Sequence, residues 1–554
     1  MSGTPGYGAR RAGASGLGTV AIDSPPAARL RVVLDRSLIV AATAAWSVVT
    51  MVALAGLAPI PYAPVVVAGY PLLLVCALVF TERAAERDLR AAAAWAAVLA
   101  AAYFLVPRVA ADPQLALSGV AVVVAGAVCW RFPSAAVIAL FATAAVQASV
   151  LAFFDFDLVR IADLILAGLW LGFVVRLAIG GREREAIVWP AALACLGYLA
   201  MTATLALTAG PGLGMPAFRV AAWFMLAFLL IAYAGFSDAT RLRIVRGVVA
   251  VTAAVAAYAV LRWLIGPAAE EEAQALSAAN GLNVINGHLR VVGSFLTGHQ
   301  LAFWAGLMAP FCLAIALVWG GRWRLVAGLA VVLCAFASFA SEARGPLAGM
   351  VVGVAAVLVV HQLSIGPRRA RTAISVIAVS AIALVGGVAY AVTIDDPNGR
   401  ARYERIVDPM SDPAYAVRVA KWEDAFDELE GHPFGLGLGT AGQVNDLSGR
   451  FRTVASLNLD NSYIKVAYEQ GWIVLAYFVV ALLALLLTMA AAAIRARSGE
   501  LAGPAIGAVG ALASMLVSFY TGLYIEGLIA LSGWIVVGLG ISGLVTRTTP
   551  LRRA

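Results

Sequence analysis

Long apolar blocks alternate with short polar connections along most of the chain. Each block is near twenty residues long, about the length that a helix needs to cross a ~30 Å hydrocarbon core at 1.5 Å per residue. The blocks lie at residues 37–58, 62–80, 91–107, 115–130, 134–154, 161–180, 187–208, 220–236, 247–265, 296–320, 325–340, 346–364, 374–394, 467–494, 503–520 and 528–545. This pattern predicts an all-α polytopic membrane protein with about 14 to 16 transmembrane helices.

Arginines concentrate in every second connection, as expected of short cytoplasmic loops. The pattern predicts an even number of spans with both termini cytoplasmic. The resulting division is a disordered cytoplasmic tail (1–36), N-terminal transmembrane helices (37–265), central transmembrane helices with outer-face arginines (266–394), an extracytoplasmic loop subdomain (395–466), C-terminal transmembrane helices (467–546) and a cytoplasmic tail (547–554).

The long outer loop contains the pattern of one amphipathic helix. Its apolar positions recur at spacings of four, three, four and three residues, which places them on one face of a helix. They are Tyr415, Val419, Trp422, Phe426 and Leu429. Such a helix is expected to lie over the bundle or at the membrane interface, with Arg418, Lys421 and Asp424 on its polar side.

Composition narrows the class further. Hydrophobic residues make up 62% of the 554 residues and charged residues only 13%, whereas roughly a quarter of an ordinary soluble domain is charged. This excludes a soluble enzyme. The formal charge of +8 comes mainly from arginines that stand singly between apolar blocks, so no nucleic-acid partner is expected.

Polar residues gather at the predicted outer ends of the later spans. An ionisable group that faces lipid costs roughly 2.5 to 3.5 kcal/mol on insertion scales, so such a concentration predicts a functional site. The groups are NGHLRVVGSFLTGHQ (286–300), SEARGP (341–346), RVAKWED (418–424), HPFGLGLGT (432–440) and DNSYIKVAYEQG (460–471).

Each of these residues also has a purely structural interpretation. Arg290 and Arg344 either bind a ligand or extend their charged ends to the membrane–water interface. Trp422 is more readily a packing residue than a substrate contact. The glycines at 435, 437 and 439 either surround a phosphate or form a tight re-entrant turn. His432 either acts in the site or interacts with a helix C-terminus. Asp460 and Asn461 either belong to the site or form an Asx turn or helix cap.

The order of these motifs resembles the O-antigen ligase and O-antigen polymerase superfamily. The resemblance covers about residues 220–545, and the first third of the chain is only generically membranous. The residues that carry it are Arg290, Gly293, Phe295, Ser341, Arg344, Gly345, Arg418, Trp422, Pro433, Gly435, Gly437, Asn461, Tyr463 and Gly471.

The resemblance implies an inverting glycosyltransferase on the outer side of the bacterial cytoplasmic membrane. The expected donor is a glycan on undecaprenyl diphosphate, and the acceptor is a hydroxyl of a glycan or lipid. The resemblance also implies that the reaction uses no nucleotide sugar and no metal, so no cofactor is expected. The other expected partners are the bilayer and membrane proteins of polysaccharide assembly.

The residue types present suit that chemistry. Permanently charged arginines stabilise a diphosphate leaving group, and Arg290 and Arg344 are predicted for this role. The predicted assistants in diphosphate binding are Arg418 and Lys421. The predicted contacts to glycan or acceptor are Trp422, Asn461, Tyr463, His299 and Gln300.

A general base must remove the proton of the acceptor hydroxyl. Asp460 is the first candidate, with His288, His299, His432 and Glu469 as alternatives, although Glu469 can instead orient Tyr463 or Lys465. Lipopolysaccharide ligases resemble one another in placing a histidine where this chain has Asp460. This difference favours a polymerase or another polysaccharide-transfer branch over a ligase.

Two other function classes remain open. A transporter or flippase of lipid-linked or anionic cargo predicts charges along a path through the membrane, and Arg176 and Arg262 lie within or near predicted spans. A non-catalytic scaffold would not need Arg290 and Arg344 on the same side as Asp460.

Overall fold

The computed structural model describes residues 113–179, 191–209, 211–278, 283–285, 288–365, 413–442, 459–495 and 500–544. The predicted spans at 37–58, 62–80, 91–107 and 374–394 and both predicted tails lie outside the described residues.

Helices make up nearly all of the described structure. They are α1 (Pro113–Arg131), α2 (Pro133–Phe154), α3 (Val159–Ile179), α4 (Ala191–Thr208), α5 (Pro211–Ala221), α6 (Leu226–Tyr233), α7 (Asp238–Ile265), α8 (Ala269–Ala278), α9 (Gly298–Val318), α10 (Gly321–Ala340), α11 (Arg344–Ile365), α12 (Pro413–Leu429), α13 (Ser462–Gln470), α14 (Trp472–Arg495), α15 (Ala502–Phe519) and α16 (Gly527–Leu544). A short 3₁₀ helix, Trp223–Met225, precedes α6. The strands β1 (Val284–Ile285) and β2 (His288–Leu289), of two residues each, form a two-stranded antiparallel ribbon before α9.

Seven of the described helices are long and apolar enough to cross a membrane: α2, α7, α9, α10, α11, α14 and α15. An eighth span is present if the bent pair Leu213–Ala221 and Trp223–Tyr233 counts as one. The predicted class, an all-α polytopic membrane protein, is confirmed, and the total of 14 to 16 spans stays a prediction.

Three predicted apolar blocks differ clearly from the helices. The block at 220–236 is interrupted, because α5 ends at Ala221 and the 3₁₀ helix Trp223–Met225 precedes α6. Helix α7 begins at Asp238, nine residues before the predicted block, because the Ser237 side chain accepts a hydrogen bond from the Thr240 N–H and caps the helix before its apolar stretch starts. The block at 467–494 is divided at Gly471, whose φ of 88° ends α13. Hydropathy does not register such a left-handed residue.

Helices α9 and α15 form the buried centre of the bundle, whereas α10, α11 and α14 each keep an exposed apolar face. Helix α11 packs closely on α15 through three glycines four residues apart. A Cβ at Gly345 would overlap the Thr521 side chain, one at Gly349 would lie 2.5 Å from the Ser518 Oγ, and one at Gly353 would lie 2.6 Å from the Gly510 carbonyl oxygen. Small residues of this kind allow helix backbones to approach in membranes.

The later helices bring their polar ends to one end of the bundle, here called the site end. It contains the N-termini of α9, α11, α14 and α16 and the C-termini of α7, α10 and α15. At the opposite end, Trp319 after α9 donates its indole N–H to the Glu500 carbonyl oxygen at 2.6 Å, and Glu500 also pairs with Arg246 near the start of α7. The site end and the opposite end of the bundle therefore each have their own set of polar contacts.

Candidate active site at one end of the bundle

Asp460 and Arg418 form an ion pair at the site end. The Arg418 Nε lies 3.4 Å from the Asp460 Oδ2, and both side chains remain partly exposed, at 30% and 24%. Arg418 lies on α12, and Asp460 lies just before α13 with a left-handed φ of 47°. Outside glycine, Asp and Asn tolerate this conformation best. The left-handed backbone and the ion pair with Arg418 together orient the partly exposed carboxylate.

The two residues after Asp460 fix its position. The Asn461 side chain caps α13 by accepting hydrogen bonds from the Tyr463 and Ile464 N–H groups at 2.9 and 3.2 Å. The Ser462 hydroxyl donates to the Gly522 carbonyl oxygen at 2.7 Å and accepts from the Ile525 N–H at 3.3 Å. The carboxylate is therefore joined to residues 520–526, here called the α15–α16 loop.

Tyr463 also serves the packing of α13. Its hydroxyl donates to the Leu516 carbonyl oxygen on α15 at 2.7 Å, and its ring contacts Phe519 edge to face. The predicted glycan contacts Asn461 and Tyr463 thus lie in the site, but the Asn461 Oδ1 and the Tyr463 hydroxyl already have partners within the protein.

Arg290 lies under the site end and is only 7% exposed. Its Nη1 lies 2.8 Å from the His299 Nε2 in the first turn of α9, which is the geometry of a guanidinium that donates to a neutral imidazole. Gln300 accepts from the Leu296 N–H, and its own N–H donates to the Thr297 cap. Arg290 and His299 thus come together, whereas the Gln300 side chain stabilises the start of α9.

A buried asparagine connects this region to the ribbon. The Asn283 carbonyl oxygen accepts from the Arg290 N–H at 2.8 Å, and the Asn283 Oδ1 accepts from the Gly298 N–H at 3.2 Å. A Cβ on Gly298 would lie 3.2 Å from the Ser341 carbonyl oxygen and 3.3 Å from the Arg290 Cβ. Arg290, the start of α9 and the α10–α11 turn are therefore neighbours.

Arg344 is the first residue of α11 and is half-buried. A cation at a helix N-terminus opposes the helix dipole, so helix stability does not account for it. An anion at the same place would interact favourably with both the helix end and the guanidinium. Gly345, the next residue, packs against Thr521 of the α15–α16 loop, so Arg344 lies beside that loop.

The predicted amphipathic helix exists as α12, and its apolar face packs onto the site end. Trp422 is buried, donates its indole N–H to the Leu459 carbonyl oxygen at 2.6 Å, and contacts Tyr415 and Tyr520 edge to face. Trp422 is therefore a packing residue of this helix. Lys421 beside it is half-buried.

The glycine-rich segment after α12 wraps around the C-terminal half of α13. Gly435, Gly437 and Gly439 all have positive φ values, of 77°, 109° and 83°. A Cβ on Gly435 would come within 2.6 Å of the Glu469 backbone. The N–H groups of Gly439 and Ala441 donate to the Glu469 Oε1 at 3.0 and 3.1 Å. This re-entrant turn encloses a carboxylate of the protein itself.

Glu469 belongs to a sealed ion cluster. The Lys465 Nζ lies 2.6 Å from Glu469 and 2.7 Å from Glu526, with all three side chains at most 3% exposed. It also donates to the Ala441 carbonyl oxygen. Burial lowers the pKa of the Lys465 ammonium, and Glu469 opposes this shift. The cluster fastens the glycine-rich segment and the end of the α15–α16 loop to α13.

His432 lies apart from Asp460. It is exposed after the end of α12, where its Nδ1 lies 3.3 Å from the Glu430 carbonyl oxygen. Leu429 lies eleven positions after Arg418, which is about 16 Å of helix at 1.5 Å per residue. The structure therefore brings together Asp460, Arg418, Arg290 and His299, but not His432 or Glu469.

Tyr524 is a central residue that the motifs did not single out. Its ring stacks on Phe303 with centroids 4.5 Å apart and planes 3° apart. Burial raises the pKa of its hydroxyl, the charges of Arg418 and Arg290 oppose this shift, and Asp460 adds to it. The Tyr524 hydroxyl therefore interacts electrostatically with Arg418 and Asp460 on one side of the site and with Arg290 on the other. The only sequence signal was its place in the polar segment YTGLYIE between two spans.

No three or more histidine, cysteine, aspartate or glutamate side chains within the described residues come together as a metal-binding group. The expectation of a metal-free site stays a prediction.

Comparison with known proteins agrees with the motifs. Residues 329–479 match the model of the O-antigen ligase family, and this match confirms the resemblance. It includes Arg344, Arg418, Asp460 and the glycine-rich segment, whereas Arg290 and Tyr524 lie outside it. No curated protein matches the chain.

Proposed function

We propose that this chain, which carries an O-antigen ligase domain at residues 329–479, transfers a glycan from a lipid diphosphate to an acceptor hydroxyl at the outer face of the bacterial cytoplasmic membrane. The product is a surface polysaccharide, made by a polymerase or ligase reaction. The observation that supports this most is the convergence of Arg290, Arg418 and Asp460 on one end of a membrane bundle.

The reaction is a single inverting displacement. The acceptor oxygen attacks the anomeric carbon of the donor glycan from the face opposite the diphosphate, and the bond between that carbon and the diphosphate oxygen breaks. Undecaprenyl diphosphate leaves with the bonding electron pair. Arg290 and Arg344 stabilise the charge that grows on it, because donors placed where charge develops lower the barrier most.

Asp460 is the proposed base that takes the acceptor proton. Its partial exposure lets an acceptor approach, and Arg418 orients its carboxylate at 3.4 Å. Glu469 is enclosed by two N–H groups and Lys465, and His432 lies about three helical turns from Arg418. Both are therefore less suited to this step. Lys421 on the polar side of α12 adds positive charge near the donor.

The transporter hypothesis has less support. It needs unneutralised charge along a path through the membrane, yet Arg262 is held by Glu271 at 2.8 Å and donates to the Tyr258 hydroxyl at 2.9 Å. Glu271 in turn accepts from the Ala268 N–H at 3.1 Å. This pairing fastens α8 to the end of α7. The Arg176 side chain lies outside the described residues.

The decisive test replaces Arg344 in a strain that lacks the chromosomal copy. We expect Arg344→Ala to reduce polysaccharide formation by about 10² to 10³, the cost of losing one charge-stabilising donor. Gel analysis of surface polysaccharide and of lipid-linked glycan measures it. Accumulated single repeat units indicate a polymerase, whereas a long unattached lipid-linked chain indicates a ligase.

Arg322→Ala is the matched control. Arg322 is exposed at the start of α10, the opposite end of the bundle, so its loss leaves the polysaccharide unchanged. Membrane levels of both variants are compared by immunoblot. Normal polysaccharide from a well-inserted Arg344→Ala protein would overturn the assignment of this arginine and favour a transporter.

A further inference from the structure

Tyr524 lies between the two charged halves of the site. Its ring stacks on Phe303, which is one helical turn beyond His299 on α9 and so shares a face with it. His299 in turn contacts Arg290 at 2.8 Å. On the other side, the backbone of the next residue, Ile525, is hydrogen-bonded to Ser462, two residues after Asp460.

The loop holds this tyrosine in one orientation. A Cβ on Gly522 would lie 2.6 Å from the Tyr524 ring, so the chain folds closely over the phenol. The Ser462 hydroxyl ties down both Gly522 and Ile525. The residue is only 4% exposed. A side chain restrained in this way pays little entropy to present its hydroxyl to a ligand.

The hydroxyl itself makes no hydrogen bond to any described residue, whereas the nearby hydroxyls of Tyr463 and Tyr520 both have partners, the Leu516 carbonyl oxygen and the Tyr415 hydroxyl. A tyrosine that is buried to this degree normally has a hydrogen-bond partner for its hydroxyl. Burial also raises the pKa of Tyr524, so its hydroxyl keeps the proton that it would donate.

We infer that the Tyr524 hydroxyl donates a hydrogen bond to the diphosphate of the lipid-linked donor, between Arg290 and Arg418. This inference rests on the proposed function and adds a neutral donor to its arginines. The chemistry fits because phosphate oxygens only accept hydrogen bonds. Tyr524 is a substrate-binding residue in this role, and it takes no proton during the transfer.

The test measures equilibrium binding of undecaprenyl diphosphate to the purified full-length protein in nanodiscs. Tyr524→Phe keeps the ring that stacks on Phe303 and removes only the hydroxyl oxygen. We expect the dissociation constant to rise about ten- to hundredfold, the effect of losing a hydrogen bond to a charged group. Binding of undecaprenol, which has no phosphate, should not change.

Tyr520→Phe is the control, because it makes the same change in the same loop at a hydroxyl that already pairs with Tyr415. It should bind the diphosphate like the wild type. Equal binding by Tyr524→Phe, beside weakened binding by Arg344→Ala, would overturn the role of Tyr524 alone. An equal loss for undecaprenol would also overturn it, because the apolar site would then be damaged. If the wild type does not bind undecaprenyl diphosphate, the proposed function fails as well.

Discussion

Two ion clusters lie at the two ends of α13, and their surroundings differ. At its start, Asp460 and Arg418 pair at 3.4 Å and keep about a quarter of their surface exposed. Further along α13, Lys465 pairs with Glu469 at 2.6 Å and with Glu526 of the α15–α16 loop at 2.7 Å, and all three side chains are at most 3% exposed. Both clusters contain residues of one sequence motif, DNSYIKVAYEQG.

The difference in exposure distinguishes a cluster that can take part in the reaction from one that stabilises the fold. A base must meet its substrate, so it needs an open face. A buried charge needs partners on every side, since an uncompensated one destabilises the fold by several kcal/mol. The open pair therefore suits the reaction, and the sealed cluster suits the attachment of two loops to α13. Substitutions in the two clusters should accordingly change different measured quantities.

Asp460→Asn has the largest expected effect on activity. The amide keeps the size of the side chain but cannot take a proton, and general-base catalysis contributes up to about 10⁴ in rate. We expect glycan transfer to fall toward that limit, with the melting temperature of the purified protein unchanged. Transfer is measured from donor and acceptor in proteoliposomes that contain the purified variant.

Asp427→Asn is the control for that substitution. Asp427 is exposed on α12, and the Asp427→Asn protein should transfer glycan at the wild-type rate. If Asp460→Asn keeps most of its activity, or loses it only in step with protein stability, then Asp460 is a structural residue and the comparison of the two clusters fails.

Lys465→Gln has the largest expected effect on stability. It leaves the Glu469 and Glu526 carboxylates facing each other without a counter-charge, and breaking a buried pair in this way costs about 3 to 5 kcal/mol. Native proteins are stable by only about 5 to 15 kcal/mol. We expect a marked fall in melting temperature and in the amount of protein in the membrane.

The other lysine of the chain supplies the control. Lys421 is half-buried on α12, and Lys421→Gln should change stability by no more than about 0.5 kcal/mol. Adding Glu526→Gln to Lys465→Gln removes one uncompensated charge and should restore part of the loss. A fully stable Lys465→Gln protein would overturn the structural role of the sealed cluster.

The apolar pattern predicted the helices well because membrane helices must satisfy their backbone groups within themselves. It did not locate the break at Gly471 or the early start of α7. Both depend on single residues, a left-handed glycine and the Ser237 cap. The spacing of Gly345, Gly349 and Gly353 was a readable signal for close helix packing, and it explains how Arg344 comes beside Thr521.

The site could be predicted only in part. Motif order located Arg290, Arg344 and Asp460 at the same end, because alternate helix ends meet there. It could not tell which polar groups face a ligand, since that depends on partners distant in sequence. Glu469 is enclosed by a segment about thirty residues away, and Tyr524 becomes central only because Phe303 lies opposite its ring.

Trp422→Phe has the smallest expected effect and tests the packing interpretation of α12. Phenylalanine keeps the edge contacts to Tyr415 and Tyr520 but cannot donate to the Leu459 carbonyl oxygen. Loss of that bond should lower stability by about 1 kcal/mol and leave transfer within about twofold of the wild type. A large fall in transfer without loss of stability would contradict the packing role, because it would mean that the indole contacts the glycan, the other role predicted for this residue. Asp460 and a sugar-binding surface that includes Trp422 would then lie on the same side of α12.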